Sequence, residues 1–238
     1  MKKLVALLSV LFLSACSLNV YVPTPGMAKA APDEVNEQVF NSVGAVWVKA
    51  KDLPAKLSGT AFAIDKDHLL TAAHVCVAIA ELQDMGILED KVYMTVLDRN
   101  DNLTTVDKLE IEEVDEPHDV CLLKRPRHGL VPLKFVEDYE TQVTFRSKIW
   151  VVGAPAGMMG DSQPGRVMNP NMTEERIPLK GKLLVSGAAT GGNSGGPVIN
   201  EQGKVVGILV MGHSTYDHLS ICVRAPIVQR FLKLVGKL

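Results

Sequence analysis

Three short stretches carry side chains that could together make and break an acyl bond. Thr190–Pro197 reads Thr-Gly-Gly-Asn-Ser-Gly-Gly-Pro and sets one hydroxyl, Ser194, among four glycines. Glycine takes positive φ cheaply and lets another backbone come close. An attacking hydroxyl needs such a turn, because nearby N–H groups must aim at the oxygen of a tetrahedral intermediate. Leu69–Val75 is an apolar run that ends in small residues and His74, a candidate base for that hydroxyl. His118–Lys124 puts Asp119 at the mouth of an apolar strand, where a carboxylate could orient an imidazole. Taken singly, each residue has a plainer role: a turn serine, a core histidine, a strand-entry cap. Together they supply nucleophile, base and orienting acid.

The chain order His74, Asp119, Ser194 is that of chymotrypsin. The stretches resemble the trypsin/chymotrypsin clan and, within it, the bacterial HtrA/Deg-like trypsin-like peptidase domains. The matching pieces are Thr71–His74, Asp119–Lys124, Gly192–Pro197 and the strand Val205–Gly212. The resemblance implies a serine endopeptidase that hydrolyses envelope or unfolded proteins through an acyl-enzyme, with protein or peptide substrates as partners and neither cofactor nor metal. It makes His74, Asp119 and Ser194 the catalytic residues and the N–H groups of Gly192 and Ser194 the oxyanion hole. By the family's spacing Ala188 falls at the bottom of the specificity pocket, beside Ala189, with Val210, Met211 and Gly212 on the wall that pairs with substrate. No acidic residue stands at Ala188, so the pocket is expected to take small or aliphatic side chains with loose selectivity. Asn193 replaces the aspartate of digestive trypsins, so no switch through a new N-terminal ammonium is expected. Gly153–Gly157 resembles the Gly-x-Pro-x-Gly turn of HtrA-like domains. The aperiodic stretch 158–180 then reads as an adjustable lid or activation loop beside the pocket, the alternative being a surface loop that hides a strand around Arg166–Met168. The alternative is a catalytically weak, membrane-tethered binding module that keeps the fold for recognition.

These residues must be held by a domain, and the chain divides accordingly. Residues 1–15 have a basic start at Lys2 and Lys3 and a short apolar core, Leu4–Leu13, the profile of a secretory signal. Leu13-Ser14-Ala15-Cys16 resembles the bacterial lipobox, which implies lipidation of Cys16 and stable membrane anchoring by several acyl chains. Ser17 in place of an aspartate resembles lipoproteins sent to the outer membrane, so the expected location is the cell envelope, facing the periplasm. Residues 16–34, with Pro23, Pro25, Gly26 and Pro32, read as a tether. Residues 35–238 are the protease domain. The chain stops just after a final helix, so the resemblance is expected to cover that domain alone, and oligomeric state is left open. A net charge of −2 without any basic run excludes an electrostatic nucleic-acid surface.

Hydrophobic residues make up 47% of the 238, enough for a sizeable core. Short apolar runs recur at 43–48, 60–64, 92–97, 108–114, 120–123, 149–152, 182–185, 197–199 and 205–210, punctuated by Gly, Asn, Asp and Pro. This pattern favours an all-β barrel or sandwich over βαβ units, and the resemblance implies two six-stranded antiparallel β-barrels in the chymotrypsin-like manner, about 40–135 and 140–225. Helices are predicted at Val75–Met85 and Ile227–Val235, the second closing the domain. With Cys16 on lipid, Cys76, Cys121 and Cys222 remain. Cys76 and Cys121 read as small buried hydrophobes, with a disulfide between them as the alternative. His68, His118, His128, His213 and His218 read as surface or loop residues. The acidic run Glu110–Glu116 reads as a solvated strand edge and not a calcium site.

Overall fold

The computed structural model describes residues 39–50, 53–97, 102–172, 181–187, 189–212 and 218–238. The leader, Cys16, the tether and Ala188 lie outside the described residues. The first half forms β1 (Val43–Ala50), β2 (Lys56–Ala63), β3 (His68–Thr71), helix α1 (Ala73–Asp84), β4 (Leu88–Leu97), β5 (Leu103–Val106), β6 (Glu110–Asp115) and β7 (Val120–Lys124). A short α2 (Tyr139–Gln142) precedes β8 (Lys148–Gly153), β9 (Asp161–Asn169), β10 (Lys182–Ser186), β11 (Pro197–Ile199), β12 (Val205–Gly212) and β13 (Leu219–Arg224). Helix α3 (Ala225–Leu234) ends the domain. Strands β8 to β13 close into a six-stranded barrel in the order β10-β13-β12-β11-β8-β9, as expected.

The first half differs from expectation. It is a seven-stranded sheet in the order β5-β4-β1-β2-β3-β7-β6, and no pairing between its edge strands β5 and β6 is found among the described residues. Both edges face water: Leu103, Thr104 and Thr105 are exposed on β5, and Glu110, Glu113 and Val114 on β6. Glutamates on an edge strand keep its open hydrogen bonds solvated and discourage pairing. Strand β9 was legible only around Arg166–Met168, because Pro164, Gly165 and its polar residues read as loop.

Strand alternation explains why the barrel strands are apolar on both faces. On β8, Ile149 and Val151 face the barrel interior, while Trp150 and Val152 join the core shared with the first sheet. Cys222 on β13 faces the interior, and its neighbours Ile221 and Val223 face the shared core. A period of two on a strand with two covered faces leaves no polar positions. Helix α3 adds Val228, Phe231 and Leu232 to the shared core. Beyond it, Lys237 Nζ lies 2.9 Å from His68 Nε2 and 3.1 Å from Glu112 Oε1. His68 is therefore a buried residue of β3 and not a surface one. Its Nδ1 bonds Asp65, which offsets the cost of burying a polar ring.

One polar residue joins the halves. Thr60, on β2, is fully buried. Its N–H donates to the Ser194 carbonyl at 2.7 Å, and its hydroxyl donates to the Gly192 carbonyl at 2.6 Å. The same hydroxyl accepts from the Ala154 N–H at 3.0 Å, and its carbonyl accepts from the Thr71 hydroxyl at 2.7 Å. Four of its hydrogen bonds thus converge on the Ser194 turn, the β8–β9 loop and the strand that leads to His74.

Cys76 and Cys121 are not two free thiols; they form a disulfide across 45 residues of chain. The cause is register. Thr71 pairs with Cys121 where β3 meets β7, so α1, which starts two residues later, lays Cys76 over the start of β7. The bridge lies two residues after both His74 and Asp119.

Two outcomes are expected. Replacing both cysteines by alanine should lower stability in urea by about 2–4 kcal/mol, the chain-entropy effect of opening a loop of this length. Thr60→Val keeps shape but leaves the Gly192 carbonyl and Ala154 N–H without partners. It should cost about 1–3 kcal/mol in the same measurement. A Thr60→Val protein as stable as wild type would show that the clamp contributes nothing.

Candidate active site

Helix α1 begins without a side-chain cap at Ala72. Of its first-turn N–H groups Val75 donates to the Ala72 carbonyl at 3.2 Å, the earlier ones have no intrahelical acceptor, and the N-terminus carries partial positive charge. Asp119 answers both from the β6–β7 turn. Its Oδ1 accepts the His74 backbone N–H at 2.9 Å, and the same carboxylate lies 3.0–3.1 Å from His74 Nδ1. The carboxylate therefore caps the helix and holds the ring that the helix carries. Nδ1–H donating to Asp119 leaves Nε2 as the free base. Burial alone would push Asp119 up. Hydrogen bonds from the His74 ring and backbone, with the charges of His74 and Lys182, outweigh it and hold the carboxyl below its ordinary value. Asp119 itself sits at φ 63°, a left-handed conformation that aspartate tolerates better than most residues.

The Ser194 turn needs its glycines for contact as much as for flexibility. Gly195 has φ 89°, and a Cβ there would overlap Thr71 Oγ1 and the Thr60 carbonyl. Gly192 has φ 102°, and its Cβ would stand 2.6 Å from both the Ala154 carbonyl and Leu57. The turn is bolted down by Gly195 N–H to Leu209 O at 2.7 Å and Gly196 N–H to Asn193 O at 3.0 Å. Ala156 N–H holds the Gly191 carbonyl at 2.8 Å. A trans peptide sets its N–H opposite its carbonyl, so this bond turns the Gly192 N–H away from the β8–β9 loop. Among the described residues, neither the Gly192 N–H nor the Ser194 N–H has a hydrogen-bond partner. Asn193 is buried, and its side-chain oxygen fills the space that a Cβ on Gly153 would need.

The structure thus brings His74 and Asp119 into direct contact and fixes the Ser194 turn against Thr71 and Ala72, next to His74. No hydrogen bond joins Ser194 Oγ to His74 among the described residues; in unliganded enzymes such bonds are often long and tighten on substrate. Of the expected specificity residues, Ala188 lies outside the described residues. Ala189 and Gly212 are neighbours, with 3.6 Å between Ala189 Cβ and the place a Gly212 Cβ would occupy. Val210 faces the core at a register break of β12, and Met211 is 54% exposed. Among the described residues, no cluster of His, Cys, Asp or Glu could hold a metal ion.

Three residues that the sequence reading does not single out complete the site: Thr60, Ala156 and Lys182. The available signal for two of them was a polar group in or at the start of an apolar strand, Thr60 in Gly-Thr-Ala-Phe-Ala and Lys182 opening Lys-Leu-Leu-Val. Ala156 lies inside the Gly153–Gly157 turn already noted, but its contribution is a backbone N–H at φ 51°, which the residue type does not disclose.

Comparison with known proteins places this arrangement. The trypsin-like peptidase domain model matches residues 59–208, from β2 to β12. Serine protease HTRA2, mitochondrial, of Drosophila pseudoobscura pseudoobscura is 30% identical over 104 residues, 41% of this chain and 23% of that protein. The match therefore spans under a quarter of that relative's length. Among solved structures, the active form of the Rv3671c protease from M. tuberculosis aligns with a TM-score of 0.64 at 22% identity. That alignment covers 93% of this chain and 95% of the other. Deg5 aligns at a TM-score of 0.66 and 19% identity, over 83% and 90%. Since the family match runs through all three chemistry-bearing stretches and over more than half of the chain, this protein belongs to the trypsin-like peptidase domain family, a family of serine endopeptidases.

Proposed function

We propose that this chain is a serine endopeptidase of the bacterial cell envelope, anchored through lipid on Cys16 and facing the periplasm, that cuts exposed or unfolded protein segments. The single observation that carries the reading is the Asp119 carboxylate bonded to both the backbone and the ring of His74, beside the clamped Ser194 turn. In this account Ser194 Oγ attacks the scissile carbonyl while His74 Nε2 takes its proton. Asp119 keeps the ring in the Nδ1–H tautomer and stabilises the imidazolium that forms. The oxyanion settles on the Gly192 and Ser194 N–H groups, worth about 2.7–4 kcal/mol of transition-state stabilisation per donor. His74 then protonates the leaving amine, and water attacks the acyl-enzyme by the same route in reverse.

Specificity is read from the residues that the family's spacing assigns to the pocket. Ala188 and Ala189 carry no charge, and with Met211 they suit small or aliphatic side chains. Discrimination per methylene is about 1–3 kcal/mol, so cuts should scatter over several such residues. Loose selectivity fits a task defined by exposure of the substrate backbone and not by one cognate sequence.

The test is incubation of the full-length chain, purified in detergent, with casein and with a tightly folded protein of similar size. Casein should be cut after residues such as Ala and Val and the folded protein spared. Ser194→Ala should lower kcat by on the order of a million-fold, to background. Casein that binds but stays intact would instead make the chain a binding module on a protease fold.

A further inference from the structure

The second barrel reaches across to the Asp119 turn through one buried cation. Lys182, the first residue of β10, is only 8% exposed. Its Nζ donates to the carbonyl of His118 at 2.7 Å, the residue immediately before Asp119. Every other described tether of that turn comes from the first half of the chain, its sheet and helix α1. Asp119 N–H donates to Glu116 O at 3.1 Å, and His118 N–H donates to Asp115 Oδ1 at 3.2 Å. The His118 ring also bonds the Asp115 carboxylate, at 2.8 Å.

A lysine in this place needs explaining. Removing an ammonium from water is costly unless hydrogen bonds and counter-charge compensate. Asp119 and Asp115 are the acids whose charges act on it. A left-handed residue such as Asp119 persists only where its surroundings over-determine it. The apolar stem of Lys182 packs in β10, while its head reaches the one backbone carbonyl that sets the direction in which Asp119 enters the site.

We propose that Lys182 is a positioning residue for catalysis: by holding the His118 carbonyl it fixes Asp119 against His74, and its charge lies beside that pair. This rests on the peptidase reading above. It makes correct orientation of His74 depend on the docking of β10 from the other half of the molecule. It also sets a cation whose charge helps to keep the Asp119 carboxylate ionised. The charged and titratable groups around it are Asp115, His118 and Asp119 on the turn, His74 on α1, and Cys222 and Arg224 on β13. Burial pushes the Cys222 thiol up, so it carries no charge here. Arg224 is engaged with the Gly181 carbonyl and Glu140.

The test compares full-length wild type, Lys182→Met and Lys182→Arg in steady-state hydrolysis of fluorescein-labelled casein over a range of pH, with thermal unfolding of each protein. Lys182→Met keeps the stem and removes donor and charge. Its kcat should fall roughly tenfold to a hundredfold, the scale of small misplacements of catalytic groups, with KM within about twofold. The acidic limb of its kcat/KM profile should move to higher pH. Lys182→Arg, which restores charge and donors, should regain part of kcat and return the limb toward wild type. A purely structural lysine would lower Tm without moving the limb. The proposal is overturned if Lys182→Met keeps kcat within about twofold, or if Lys182→Arg matches Lys182→Met in both kcat and limb. A wild-type protein that never cuts casein refutes the peptidase reading and this role with it. An active wild type with an unaffected Lys182→Met refutes the role of Lys182 alone.

Discussion

The hydrogen bonds of Thr60 are the constraint on which the rest of the site depends. A nucleophile in one half of a molecule and a base in the other must be held to a fraction of an ångström, yet loops between packed sheets are the softest parts of a fold. This chain solves the problem with a buried residue in the middle of a strand. The Thr60 N–H, hydroxyl and carbonyl reach the Ser194 turn, the β8–β9 loop and Thr71. Burial makes these bonds count, because an unpaired partner would have no water to turn to. The clamp is also why Gly195 cannot carry a side chain, since Thr71 and Thr60 already fill that space.

Around the clamp, single groups repeatedly serve two purposes. The Asp119 carboxylate caps α1 and orients the ring that α1 carries, so forming the helix and positioning the imidazole are one event. The Cys76–Cys121 bridge repeats that link two residues further along both segments, in the apolar layer beneath. Ala156 gives its N–H to Gly191 and thereby orients the next peptide of the turn. Lys182 extends the same logic from the second barrel. The site is a set of backbone groups held by side chains, more than a set of side chains held by loops.

How much of this the sequence disclosed follows from where the information lies. The three chemistry-bearing stretches were legible because glycine clusters, a terminal histidine and a strand-entry aspartate are local patterns. A barrel or sandwich was legible from apolar runs and turn residues, and the resemblance narrowed it to a closed barrel. The seven-stranded first sheet was not, because closure depends on how two distant edges meet, and β5 and β6 carry no residue that says so. The Cys76–Cys121 disulfide was legible only as an alternative for the same reason: the β3–β7 register that stacks the two cysteines involves residues some fifty positions apart. Thr60 and Lys182 each looked like a small imperfection in an apolar strand. Their meaning came from partners 134 and 64 positions away in the chain, Ser194 and His118.

The central claim is that this clamped geometry activates Ser194 above every other serine in the chain. The most direct measurement treats the folded, full-length protein with diisopropyl fluorophosphate and locates the adduct by peptide mass mapping. The account predicts one phosphorylated site, Ser194, abolished when the protein is first unfolded. A folded protein that takes no label, or takes it at a different residue, would contradict it.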